Sequence, residues 1–225
     1  MVYSKYNNTS SYSYVFGAFG TIELLTNKPS ECLSVLIDPS FIKNEAFSKI
    51  KTLCQKHNIE IIIDEKIVSK IRDKGNIFVI GVFNKYKSNL SNNKHIVLYN
   101  INNVGEIGTI IRSMRGFSFE NLVLINCDVD IYDEHLIRST MGAFFQTNIL
   151  TLNNIEEYTS LFTNQKMFNI SNSGSSLSNI INDDNLSLIF SLNPLSNEKI
   201  TNVEFKENIP LENIVNIVLF NLFEN

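Results

Sequence analysis

From residue 95 onward, short apolar runs alternate with stretches whose apolar residues recur at helical spacing, and few architectures accept that order. Residues 95–99, 122–126, 149–152, 167–170 and 186–190 read as strands, while 107–117, 134–145, 155–162 and 213–223 read as helices. Such an alternation is met by a mostly parallel sheet covered by helices, because each parallel pairing needs a crossover connection. The expected fold class is therefore α/β in doubly wound order. Ligands of such sheets bind outside the carboxyl ends of the strands.

The first half repeats the alternation on a smaller scale. Residues 14–26 predict a helix, 33–38 a buried strand, 44–58 a helix, 59–63 a β-branched strand, 65–73 a short helix and 77–83 a strand. Residues 85–94 are polar, with Asn89, Ser91, Asn92 and Asn93 close together, and read as a linker. A chain of 225 residues accommodates two unequal cores. The expected division is a small α/β domain over 1–86, a linker over 87–94 and a larger α/β domain over 95–225.

Composition excludes several functions. Residues 214–223 form the longest apolar stretch, interrupted by Asn216 and Asn221 and too short to span a bilayer. The N-terminal residues are polar and tyrosine-rich without the basic flank and apolar centre of a signal peptide, so a cytoplasmic location is expected. Cys54 and His57 have metal-ligand spacing, but no second pair completes a closed zinc site; Cys32, Cys54 and Cys127 read as reduced structural thiols, and no metal is expected. A net charge of −4 argues against a broadly basic surface, so contact with nucleic acid would be local.

Two clusters in the second half carry more than fold class. Glu106-Ile107-Gly108-Thr109-Ile110-Ile111-Arg112, continuing through Arg115, Gly116 and Phe117, places a glycine near a helix start and an arginine about one turn later. Arg138-Ser139-Thr140-Met141-Gly142-Ala143-Phe144 sets a basic residue and small hydroxyls before Gly-Ala-Phe. In this order, with strand 122–126 between them, they resemble the two RNA-facing motifs of the SpoU/TrmH ribose methyltransferases of the SPOUT class. Gly108 and Arg112 match the first motif; Glu106 stands where that family has asparagine, and Ser118 where it has glycine. The first half is similar to the small substrate-binding domain preceding the catalytic domain in many members, through Val15-Phe16-Gly17, strand 59–64 with Lys66-Ile67-Val68, and strand 75–82.

The resemblance implies a C-terminal trefoil knot, a homodimer, S-adenosylmethionine as methyl donor and rRNA or tRNA as substrate. It assigns Arg112 the catalytic role of orienting RNA phosphate and offsetting charge on the ribose oxygen; a guanidinium stays protonated and is no simple base. Arg115, Arg138 and Thr140 fall at RNA-binding positions. Ile170, Ser171, Phe190, Ser191, Ile209, Leu211 and Asn213 fall at cofactor-binding positions. Here the chain departs from the pattern. Ser191-Leu192-Asn193 replaces a Gly-x-Glu loop, with Ser191 and Leu192 positioned to fill space that glycine leaves open. Ile209-Pro210-Leu211 keeps the family's turn, but the Ser-Leu-Asn that should follow is shortened to Asn213.

Other features are weaker. Residues 171–176 are rich in serine after a strand but lack the Gly-Lys ending of a phosphate loop. Asp128, Asp130, Asp133 and Glu134 lack the spacing of a calcium loop and suit the N-terminus of the following helix. Three readings are open: an active RNA 2′-O-methyltransferase, a catalytically inactive homologue that binds RNA or protein, and an unrelated doubly wound enzyme.

Overall fold

The structure, a computed structural model, describes residues 3–72, 74–205 and 209–224. Along the chain the elements run β1 (Tyr12–Phe16), α1 (Ala18–Asn27), β2 (Cys32–Ile37), α2 (Glu45–His57), β3 (Glu60–Ile63), α3 (Glu65–Ile71) and β4 (Val79–Asn84). They continue with β5 (His95–Tyr99), α4 (Val104–Gly116), β6 (Asn121–Ile125), α5 (Glu134–Ser139), β7 (Asn148–Leu152) and α6 (Ile155–Leu161). The last four are β8 (Lys166–Ser171), β9 (Leu186–Phe190), β10 (Ile200–Glu204) and α7 (Leu211–Glu224).

The chain divides into two compact units. One comprises the chain up to Tyr86 with Asp130–Gln146; the other comprises Lys87–Val129 with the chain from Thr147 onward. A single cut at 87–94 would leave 130–146 in the second domain, but that segment packs with the first. The reason is aromatic: Phe83 on β4 meets Phe145 edge-on at 5.2 Å between centroids and Phe144 at 6.3 Å. The Ser13 hydroxyl also donates to the Tyr132 carbonyl at 2.6 Å, away from water.

The first unit holds a four-stranded sheet in the order β1-β4-β2-β3, antiparallel except for the β2–β3 pair. The helix expected over 14–26 divides into β1 and α1. Tyr12, Tyr14 and Phe16 alternate along one face, their rings 5.6 and 6.2 Å apart in sequence, and this two-residue period makes a strand. Helix α2 lies between two asparagines. The Asn44 side chain accepts from the Ala46 amide at 2.9 Å, and Asn58 ends the helix in the left-handed conformation at φ 56°. Helix α3 runs to Ile71, and Asp73, where its end was expected, lies outside the described residues. The helix expected over 134–145 stops at Ser139 because Met141 and Gly142 take φ 49° and 86°, and a short 3-10 turn, Ala143–Gln146, follows. A Cβ on Gly142 would approach Glu23 Cγ to 2.6 Å, so the turn is built around a residue without one.

The second unit is a six-stranded sheet, β10-β8-β9-β5-β6-β7, with every pair parallel. All five residues of β6 and of β9 are buried, as expected for strands covered on both faces. Its order changes direction between β9 and β5: β6 and β7 extend to one side, β8 and β10 to the other. Strand β10 was not foreseen in the sequence. It is an edge strand with only Ile200 and Val203 buried, so it carries neither an apolar run nor a full alternation. Among the described residues, no helix is long and apolar enough to cross a membrane.

Candidate functional site

A pocket of about 300 Å³ opens where the carboxyl ends of β8, β9 and β5 lie side by side. This is the switch point of the sheet, and the volume is at the small end of the usual range for ligand sites. Ile170 and Ser171 close β8, Phe190 closes β9, and Ser191 and Leu192 follow it; Ile101 follows β5 and Phe205 follows β10. Ile209 with Leu211 and Ile214 of α7 form the opposite wall, and Glu106 enters from the first turn of α4. Six of the seven residues expected at the cofactor are therefore brought together. Asn213 is not: it is exposed on the first turn of α7, outside the lining.

The loop after β9 is held from below by amides. The Ser191 hydroxyl lies 2.8 Å from Asn169 Oδ1 and 2.5 Å from the Asn193 carbonyl, and it can donate to one of them at a time. Asn169, fully buried on β8, donates through Nδ2 to Asn202 Oδ1 at 2.8 Å. Asn202 on β10 then clasps Leu195, accepting from its amide at 2.9 Å and donating to its carbonyl at 3.0 Å. Ser191 therefore turns its hydroxyl into the protein, and Leu192 is 73% exposed. The replacement of the Gly-x-Glu loop leaves the pocket open, contrary to the expectation that Ser191 and Leu192 fill it. The asparagine network was missed in the sequence, where Asn169, Asn193 and Asn202 look like any of the chain's many asparagines.

The neighbouring loop after β8 is fastened as well. Ser171 Oγ donates to the Ser173 carbonyl at 3.1 Å, the Phe205 amide donates to the Ser171 carbonyl at 2.9 Å, and Ser175 bridges to β10. Gly174 lies so close to β10 that a Cβ there would sit 2.4 Å from the Asn202 carbonyl oxygen.

Helix α4 starts at Asn103, whose side chain accepts from the Gly105 and Glu106 amides at 3.0 and 3.3 Å. Glu106 is half-buried at the pocket and makes no pair with Arg112; neither side chain has a hydrogen-bond or ion-pair partner among the described residues. Six residues apart on a helix, the two point about 120° away from each other. Arg112 is accordingly exposed and outside the pocket lining. Arg115 is half-buried and paired with Glu120 at 3.1 Å.

Arg138 and Thr140 belong to the first unit. Arg138 is half-buried and partnered. Thr140 is fully buried; its hydroxyl donates to the Ile137 carbonyl at 2.6 Å and accepts from the Phe144 amide at 3.3 Å. Its polar atoms are thus used in holding the turn after α5, which leaves it no surface for RNA. The expected thiols also have structural surroundings: burial pushes Cys32 up to about 12 and Cys54 up to about 11. Among the described residues, no three His, Cys, Asp or Glu side chains are grouped to hold a metal ion.

The chain resembles several solved structures over nearly its whole length. One is the SpoU methyltransferase AviRb from Streptomyces viridochromogenes in complex with AdoMet, at TM-score 0.79 and 14% identity, covering 95% of this chain and 90% of that one. Another is an AdoMet-bound rRNA methyltransferase from Sinorhizobium meliloti, at TM-score 0.74 and 16% identity, with 95% and 87% covered. A third is an RNA 2′-O ribose methyltransferase, at TM-score 0.69 and 11% identity, with 96% and 90% covered. At these identities the likeness establishes the fold, and it is the SPOUT fold. Compared by sequence, no curated protein matches the chain. The family model for the SpoU rRNA methylases matches residues 93–213, which carry the parallel sheet and the pocket. That match spans more than half of the 225 residues, and the chain belongs to the SpoU rRNA methylase family, a family of RNA methyltransferases.

Proposed function

We propose that the protein is an RNA ribose 2′-O-methyltransferase that draws its methyl group from S-adenosylmethionine and acts on rRNA or tRNA in the cytoplasm. The observation that carries this reading is the open pocket at the β8–β9–β5 carboxyl ends, lined by Ile170, Phe190, Ile209 and Leu211 and rimmed by Ser171 and Ser191. The apolar side chains suit an adenosine ring, and the strand-end loops offer backbone groups to fix its orientation. The AdoMet-bound relatives support the same choice of ligand.

S-adenosylmethionine, when bound, would supply an activated methyl group for a ribose 2′-hydroxyl. The contribution of this chain is positioning and electrostatics. Arg112, exposed and without a partner among the described residues, would hold an RNA phosphate and offset charge on the ribose oxygen. Arg115 in the second unit and Arg138 in the first are the further arginines this reading assigns to RNA, while the Thr140 hydroxyl serves the turn after α5. The reading includes the family's knot, formed by the segment from β9 through α7, whose last helix packs on α4.

The test is in two stages. Calorimetric titration with S-adenosylmethionine should show saturable binding to wild type, unchanged in Arg112→Ala because Arg112 lies outside the lining. Methyl incorporation into total RNA should then fall by roughly 10²–10³-fold in Arg112→Ala. No binding at millimolar cofactor would favour the second reading, a non-catalytic RNA- or protein-binding homologue, which the replaced Gly-x-Glu loop supports. Equal incorporation by both proteins would remove Arg112 from the mechanism.

A further inference from the structure

Among its described lining residues the pocket has one charge. Of its described lining residues, only Glu106 ionises; the others are apolar apart from Ser171, Asn172 and Ser191. The Glu106 carboxylate is not used in folding contacts, since it has no hydrogen-bond or ion-pair partner among the described residues. Its residue is half-buried, so its field is less screened than that of a free surface group. The Asn103 cap already satisfies the Gly105 and Glu106 amides, leaving the carboxylate free to face the cavity.

We propose that Glu106 makes this pocket selective for a ligand with net positive charge, so that it distinguishes the sulfonium cofactor from its neutral thioether product. The inference rests on the reading of the pocket as the S-adenosylmethionine site. At neutral pH S-adenosylmethionine has a carboxylate, an ammonium and a sulfonium, for a net charge of +1. S-adenosylhomocysteine retains the first two and has lost the third, for a net charge of zero. Apart from the methyl on sulfur the two share every other group, so the Glu106 carboxylate in the wall acts on the difference between them. In a partly desolvated pocket a unit charge a few ångströms away is worth on the order of a tenfold preference or more. The same carboxylate favours the sulfonium before transfer over the product after it. It therefore eases product release and slows the chemical step, because only interactions stronger in the transition state accelerate it.

The experiment compares dissociation constants of S-adenosylmethionine and S-adenosylhomocysteine for the full chain and for Glu106→Gln, by calorimetry at pH 7.5 in low salt. A third ligand is the non-transferable analogue sinefungin, which has an ammonium group beside the position of sulfur. Wild type should bind both cationic ligands at least about tenfold more tightly than the thioether. Glu106→Gln should reduce that ratio to near one, chiefly by weakening the cations. Glu106→Asn provides a second neutral variant, and circular dichroism melts verify that each is folded. A ratio near one in wild type, or a ratio unchanged in both variants, would overturn the inference while leaving the pocket's identity intact. Failure of wild type to bind any of the three would overturn the inference together with the reading beneath it.

Discussion

His95 shows at the residue scale how proton counting and desolvation compete. The ring is fully buried at the start of β5, with Nε2 2.7 Å from the Ser91 carbonyl and Nδ1 2.8 Å from the Tyr158 hydroxyl. A carbonyl only accepts, so a neutral ring has its proton on Nε2 and accepts at Nδ1. Gln165 donates through Nε2 to the carbonyls of Asn92 and Asn93 at 2.9 and 3.2 Å, which turns its oxygen toward the Ser187 hydroxyl at 2.9 Å. Tyr158 and Ser187 also approach to 2.6 Å, so two hydroxyl protons serve three contacts. A proton on Nδ1 would complete the chain, for a gain of about 1 kcal/mol. Burying an imidazolium among Tyr158, Phe162 and Ser187, with no charged group acting on it, costs several kcal/mol. Desolvation wins and holds the His95 pKa below its ordinary 6.5, although the Ser91 carbonyl pulls the other way. The sign follows from linkage. The unfolded chain takes up a proton near pH 6.5 and the folded chain only at lower pH, so stability is full above 6.5 and drains as pH falls toward the folded pKa. Thermal unfolding between pH 8 and pH 5 should show the wild-type Tm falling more steeply than that of His95→Gln; parallel curves would show that His95 does not contribute.

Among the elements, the loop from β8 to the 3-10 turn Leu177–Asn179 has a geometry that could not be read from its sequence. Serine and asparagine over 171–176 suggest a slack connection, yet Gly174 sits against the backbone of β10 at φ 154°. An added Cβ would meet main-chain atoms that cannot swing aside, so Gly174→Ala should cost about 1–3 kcal/mol and lower Tm by roughly 2–10 °C. It should also weaken cofactor binding, since Ser171 and Asn172 on the same loop line the pocket. An unchanged Tm would mean that the loop moves off β10 freely. Legibility varies with how local the signal is. The five parallel strands other than β10 announce themselves as apolar runs, and α2 by apolar residues at helical spacing. Strand β10 and the pairing of 130–146 with the first unit depend on contacts distant in sequence. The pocket lining at Ile170, Ser171, Phe190, Ser191, Ile209 and Leu211 was legible only through the family resemblance, whose motif positions fall at the ends of β8 and β9 and at the start of α7. Asn213 and Thr140 were assigned by motif position, which does not specify where a side chain points; burial and helix phase decided both.

For the molecule as a whole, the 19 basic and 23 acidic side chains leave no general attraction for RNA, so association must come from shape, a few arginines and, we infer, a second copy of the chain. The surface that suits such a copy is on α7. Val215, Val218 and Leu219 are buried toward the second unit, while Ile217, Phe220 and Phe223 are 41%, 54% and 67% exposed. Those three are spaced at i, i+3 and i+6 and form an apolar stripe on the face the core does not use. Among the described residues, only the Phe223 ring of the three finds an aromatic partner, Phe117 at 5.9 Å. A two-fold axis through such a stripe would place it against itself, each phenylalanine covering the other's neighbour, as an isologous interface requires. Sedimentation velocity at micromolar concentration should therefore give twice the chain mass for wild type. Phe220→Lys puts two like charges near the axis and should shift the species to monomer, while the residue's exposure leaves the fold and its melting curve nearly unchanged. A monomeric wild type, or a dimer indifferent to Phe220→Lys, would rule this stripe out as the interface.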